Sequence, residues 1–346
     1  MNESAFRKHA RWQAGWCRML GSPFNALVCD LLAERLPPET ALGRRLDGWS
    51  GNTEAEMLAL RVAGGLHAHV RNGKAPGLAA LYPPAPLPDA DALWAAMEPV
   101  LAAPSICRWL DVAPQTNEVA RSAALMPCFL TVAAETGLPL ALVELGCSGG
   151  LNLMPDHYAF RLGNVRAGNA DSLLVLEPEW IGPDPPDVPI TFASRIGVDV
   201  QPIDLSEPAE RARMLAYVWP DQYARLERMA TAMTIISEIP PEILKGDAAD
   251  FVEQRVWPQP GLATTVFHSI ALQYFSPGSQ QRIADHMEQA GAEASVNAPL
   301  AWVRMEHDTP GAGEPPTLRL TLWRGQGAEQ RLLGRAHPHG SMVAWL

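Results

Sequence analysis

The chain has 346 residues, 38 acidic and 27 basic, for a formal charge of −11; 47% of residues are hydrophobic and 19% charged. That length supports a large core and two lobes, and the composition excludes a disordered chain. The negative charge repels phosphate backbones, so nucleic acid is not expected as a partner; the basic Arg7, Lys8, Arg11 and Arg18 lie at helical spacing among Trp12, Trp16 and Cys17, as a solvated helix face does.

Up to about residue 135 the pattern is helical. Phe6–Leu20 is an amphipathic helix stopped by Gly21-Ser22-Pro23, and Asn25–Leu36 follows, ending at Pro37-Pro38. Thr53–Val70 carries a broad apolar face, Tyr82–Pro88 is a proline-rich loop, and Asp89–Leu101 and Ser122–Glu135 complete the set. The division expected is a helical lobe over 1–135 and an α/β domain over 136–346. Cys17, Cys29, Cys107, Cys128 and Cys147 include no Cys-x-x-Cys pair, which points to a reducing compartment. The N-terminus lacks the apolar core of a signal peptide, and the uncharged run Ser122–Ala134 is too short to span a bilayer. A cytoplasmic protein with no membrane contact is expected.

After Pro139 the pattern becomes alternating strand and helix. Leu140–Leu145 is a buried parallel strand, followed by Gly146-Cys147-Ser148-Gly149-Gly150 and an apolar stretch able to open a helix. A β-hairpin is expected near 158–180, built from segments around Ala159–Leu162 and Leu173–Leu176. Strands follow at Ser194–Val200, Glu242–Asp247, Ala263–Ile270, Leu300–Glu306, Thr317–Arg324 and Met342–Leu346. Helices are expected at Glu207–Thr234, broken near Pro220, and at Pro277–Ala290. The last strands have no helix between them, so the expected fold is a Rossmann-like α/β sheet with antiparallel edge strands, preceded by a helical lobe.

The spacing Glu144-x-Gly146-x-Ser148-x-Gly150 is similar to the first motif of S-adenosylmethionine-dependent methyltransferases. Glycines there admit a ligand close to the backbone, and an acid inside an apolar strand is costly without a partner. That similarity implies a cofactor site of Glu144, Gly146, Ser148, Gly150 and Asn152. Asp199, or its rival Asp204, would bind ribose hydroxyls, and Asp247 the adenine amine. Asp247 equally suits a helix N-cap. His268, at the end of its strand, is the candidate base, with a satisfied core histidine as the plain alternative; Tyr274 would wall the site. No metal is expected: His67/His69 lie in a helical stretch, where an i, i+2 pair does not converge, and His337/His339 lie in a loop, where spacing predicts nothing.

Gly146–Gly150 also satisfies Gly-x-Ser-x-Gly, the nucleophile elbow of serine hydrolases, with Ser148 as nucleophile and His337 or His339 as base. Against this, no earlier strands and no His-Gly-Gly segment precede it. A third reading is a non-catalytic member of the fold that binds a nucleoside or a protein.

Several separated segments resemble a bacterial family, domain of unknown function 2332, over nearly the whole chain. They are Phe6-Arg7 with Gln13 and Gly21-Ser22-Pro23; Gln115–Ser122; Glu144–Leu153; Arg195–Asp199 with Pro202 and Asp204; Trp219–Gln222; Val266–Ser269; and His337–Gly340. The resemblance implies the methyltransferase-like fold and directs attention to Asn117, Glu118 and Arg121 as substrate-binding residues. Arg121 could hold a carboxylate. The expected function is methyl transfer from S-adenosylmethionine to a small-molecule acceptor.

Overall fold

Apolar residues at helical spacing build the first of two units, formed by the chain up to Thr116 together with Glu207–Ala230. The structure is a computed structural model and describes residues 3–309 and 314–346. Helix Ala5–Met19 starts where Ser4 accepts from the Arg7 backbone N–H; it buries Phe6, Ala10, Ala14 and Cys17. Its outward arginines pair with acids: Arg11 with Glu3 and Glu34, Arg18 with Asp30. Helices Pro23–Arg35, Leu58–Arg71 and Ala90–Leu101 follow near the expected positions, with Pro208–Ala216 added from later in the chain. Three short helices were not expected: Ala41–Asp47, Pro76–Ala79 and Pro104–Cys107. Segments this short carry too little periodicity to read.

The second unit, Asn117–Ser206 with Thr231–Leu346, is mixed α/β around a large, mostly parallel sheet. Its strands are β1 (Leu140–Leu145), β2 (Ala159–Leu162), β3 (Val165–Gly168), β4 (Val175–Leu176), β5 (Glu179–Ile181) and β6 (Phe192–Asp199). The rest are β7 (Ile243–Lys245), β8 (Ala263–Ser269), β9 (Leu300–Glu306), β10 (Thr317–Trp323), β11 (Ala328–Ala336) and β12 (Met342–Trp345). The sheet runs β5-β12-β11-β10-β9-β8-β1-β6-β7. Strands β7 to β9 are parallel, β9 to β12 antiparallel, and the edge strand β5 is parallel to β12. From β1 the chain builds outward to β6 and β7, then crosses back to β8 on the other side. Such a reversal opens a crevice at the carboxyl ends of the two central strands.

Every residue of β1 is buried, because both faces are covered. Phe129 of helix Ser122–Thr136 meets Phe192 and Phe267 edge-on from one face. Val143, Leu145, Val198 and Val266 pack with helices Ala248–Arg255 and Pro277–Ala292 on the other.

Three local expectations change. The glycine loop does not open an α-helix; it runs into the 3-10 turns Leu151–Leu153 and Pro155–His157. Pro155 disfavours helical backbone at the residue before it, and Met154 sits at φ −113°, ψ 44°. The hairpin joins β2 to β3, while β4 pairs parallel to β2's other edge in a separate three-stranded sheet. The strand β11 was not expected, because its exposed half is charged and only its end is buried. No helix of the described residues is long and apolar enough to cross a membrane.

The loop His337–Gly340 packs tightly inside this unit. Gly340 has φ +68°, and a Cβ there would lie 2.2 Å from the Ala120 carbonyl oxygen. Gly340→Ala should therefore destabilise the protein by about 2 kcal/mol or more, from backbone strain plus the clash. Urea unfolding against wild type measures this.

Candidate functional site

The carboxyl ends of β1, β6, β8 and β9 gather the acids and polar groups of the second unit. Glu144, the next-to-last residue of β1, is buried, and its Oε2 has no hydrogen-bond partner. Burial raises its carboxyl well above the ordinary range, and the Asp199 charge adds to this; Arg121 and Asn152 offset it only in part. Two more buried polar atoms of the adjoining loop, Ser148 Oγ and Asn152 Nδ2, are also without partners. Buried polar groups are nearly always satisfied. Three such orphans lie within nine residues, around a loop that starts and ends on left-handed glycines (Gly146 φ +68°, Gly150 φ +74°), which makes this loop the candidate site.

Hydrogen bonds to side-chain acceptors fix the shape of this loop. Asp199, at the end of β6, accepts from Ser148 N at 2.8 Å through Oδ2 and from Gln201 N at 2.8 Å through Oδ1. Ser148 is thereby kept at φ +53°, rare for a residue with a side chain. Asn117 Oδ1 accepts from Leu151 N at 2.7 Å, and Ser122 donates to Asn152 Oδ1 at 2.7 Å. The second orienting bond explains why Asn152 presents its amide nitrogen rather than its oxygen.

Glu118 accepts from the Ala120 N–H. Arg121 donates to the carbonyls of Ser269 and Pro338, each at 2.9 Å. Through Nε and Nη1 its guanidinium ties the end of β8 to the His337–Gly340 loop. Asp247 caps helix Ala248–Arg255, accepting from Ala249 N and Asp250 N, which is the plain reading of its Gly-Asp-Ala context. Asp204 accepts within its own turn from Ser206. Tyr274 is 69% exposed.

His268 is fully buried and both ring nitrogens are engaged. Trp302 donates to Nε2 at 3.1 Å, and Nδ1 lies 2.6 Å from Glu306 Oε1. An indole N–H can only donate, so Nε2 accepts and the ring proton sits on Nδ1. Neither nitrogen remains to take a proton from a substrate, so His268 matches the satisfied core histidine rather than the base. Sequence reasoning passed over Glu306. Its signal was the one that exposed Glu144, an acid ending an apolar strand. Glu306 Oε1 also accepts from Ala271 N at 3.0 Å and Leu272 N at 3.2 Å. That hub turns the chain sharply after β8, through Ile270 at φ +50°, and lays Ala271 and Phe275 against Gly146.

The separated motifs of the sequence thus meet in space. Residues 117–122 contact 151–152, 269 and 338 in the second unit. In the first, Asp221 accepts from Ser22 and from Phe24 N, and Gln222 donates to Leu20 O. A family model described as "Uncharacterized protein conserved in bacteria (DUF2332)" matches residues 7–345. The chain belongs to this family. No curated protein and no solved structure matches it.

Glu144 carries a measurable signature. A carboxyl raised in the folded state binds its proton more tightly there than in the unfolded chain, so stability falls as pH rises past the unfolded value near 4.5. Glu144→Gln removes this slope. Urea unfolding from pH 4.5 to 8 should show wild type losing stability relative to the variant, with Glu144→Gln the more stable protein at pH 8.

Proposed function

We propose that this protein binds S-adenosylmethionine at the carboxyl end of β1 and transfers its methyl group to a small-molecule acceptor. The observation that carries the reading is Glu144: a sealed carboxyl with an unpartnered oxygen, beside a glycine loop, at the reversal of a parallel sheet. The strand order β7-β6-β1-β8-β9 and the helices on both faces suit a Rossmann-like methyltransferase domain. Glu144 would accept from the ligand's ammonium and become ionised in doing so. Ser148 Oγ and Asn152 Nδ2 would supply donors, and Gly146 and Gly150 close approach. Asp199 keeps lone pairs for ribose hydroxyls beyond those given to Ser148 and Gln201. Bound there, the cofactor supplies a methyl group already activated on a sulfonium, so the protein's part is positioning and exclusion of water. Asp247 and His268 take no part in this reading, since one caps a helix and the other is spent on Trp302 and Glu306.

One observation favours a hydrolase: Ser148 sits at positive φ, as an elbow nucleophile does. Its Oγ, however, has no hydrogen-bond partner, so no histidine stands ready as its base. Fluorophosphonate labelling of Ser148 would favour the hydrolase.

Calorimetric titration of the purified protein with S-adenosylmethionine and S-adenosylhomocysteine tests the proposal. Micromolar binding is expected for wild type. Glu144→Ala should weaken it about tenfold or more, the usual cost of losing a hydrogen bond to a charged group. Gly146→Val should abolish it, because its side chain would enter the space of Ala271 and Phe275. Folded wild type that binds neither ligand sinks the reading.

A further inference from the structure

Glu306 uses only one side of its carboxylate. Oε1 takes all three hydrogen bonds, from His268, Ala271 and Leu272. Oε2 takes none and, unlike Glu144 Oε2, is not sealed from solvent; the side chain keeps 13% of its surface exposed. Among the described residues no lysine or arginine forms an ion pair with it. Arg304, two residues earlier on β9, is drawn instead to Thr321 Oγ1 and over the Trp302 ring. The chain from Trp302 through His268 to Glu306 fixes the carboxylate's orientation and leaves one lone-pair edge unspent.

Burial alone would push this carboxyl up. The hydrogen bond from His268 and those from the two backbone N–H groups outweigh it and hold Glu306 below the ordinary range. A carboxylate so held is a weak proton acceptor and a strong partner for a positive charge. Its place is also telling. It ends a strand next to β8, where open sheets receive ligands, and Ala271, whose N–H it holds, is the residue a Cβ on Gly146 would strike. One residue separates it from the glycine loop.

We propose that Glu306 Oε2 is the binding point for a cationic N–H group, an alkylammonium or guanidinium, on a small-molecule ligand. That this ligand is the methyl acceptor rests on the methyltransferase reading; the cation site itself does not. The Trp302 indole N–H, two hydrogen bonds away, is a built-in reporter.

The test is titration of the full-length protein with n-butylammonium and methylguanidinium chlorides at constant ionic strength. The Trp302 indole resonance is followed by NMR and assigned through Trp302→Phe. Saturable shifts at millimolar concentration are expected. Glu306→Gln, which keeps an acceptor for the three donors and removes the charge, should weaken binding at least tenfold. Neutral n-butanol should leave the wild-type resonance unmoved, which tests the charge requirement without a variant. Equal binding to wild type and Glu306→Gln, shifts with butanol matching those with butylammonium, or no shift with either cation would overturn the proposal. Glu306-dependent cation binding by a protein that binds no S-adenosylmethionine would keep the cation site and remove the methyltransferase.

Discussion

Two carboxylates bonded to backbone N–H groups hold the centre of the second unit in shape. Asp199, ending β6, grips the loop that leaves β1; Glu306, ending β9, grips the loop that leaves β8. Each acid reaches across to the turn of a neighbouring strand, and each turn contains a non-glycine residue at positive φ, Ser148 or Ile270. Such backbone costs about 1–3 kcal/mol per residue. Charge-assisted bonds from N–H to carboxylate are strong enough to offset it. Ile270 is the sharper case, because a β-branched side chain tolerates that region least. The shape of the crevice between β1 and β8 follows from these two grips.

Polar groups around the crevice divide into spent and unspent. Asp247, His268, Asn117 and Arg121 are engaged in caps, rings and carbonyl ties. Glu144 Oε2, Ser148 Oγ and Asn152 Nδ2 are sealed away without partners, and Glu306 Oε2 is open without one. The spent groups hold the loops in shape, and the unspent ones are those the proposed function draws on. The carboxylates of Asp199 and Glu306 lie on either side of the raised Glu144 carboxyl.

Much of the fold was legible in the sequence because burial writes itself into periodicity. Helices Ala5–Met19, Ser122–Thr136 and Pro277–Ala292 fall within a few residues of their expected ends, and β1, β8 and β9 read as apolar runs with a polar residue at or next to the end. Glu144 stood out since an acid in an apolar strand breaks the pattern. The missed helix after the glycine loop is a case of local signal overridden by a single residue, Pro155. The missed strand β11 shows the reverse, a charged segment made into strand by its partners β10 and β12.

By itself the sequence determined which segments are buried and which residues break the apolar pattern, since both depend only on residue type and spacing. Whether an acid or histidine is free or spent was decided by the tertiary structure alone. His268 and Glu144 look alike along the chain, each polar at the end of a buried strand. His268 bonds to Trp302 and Glu306, 34 and 38 residues later, while Glu144 Oε2 forms no hydrogen bond. Hydrogen bonds form between atoms about 3 Å apart whatever their separation in sequence. The partners that distinguish a structural residue from a functional one therefore exist only once the sheet has brought β1, β6, β8 and β9 together.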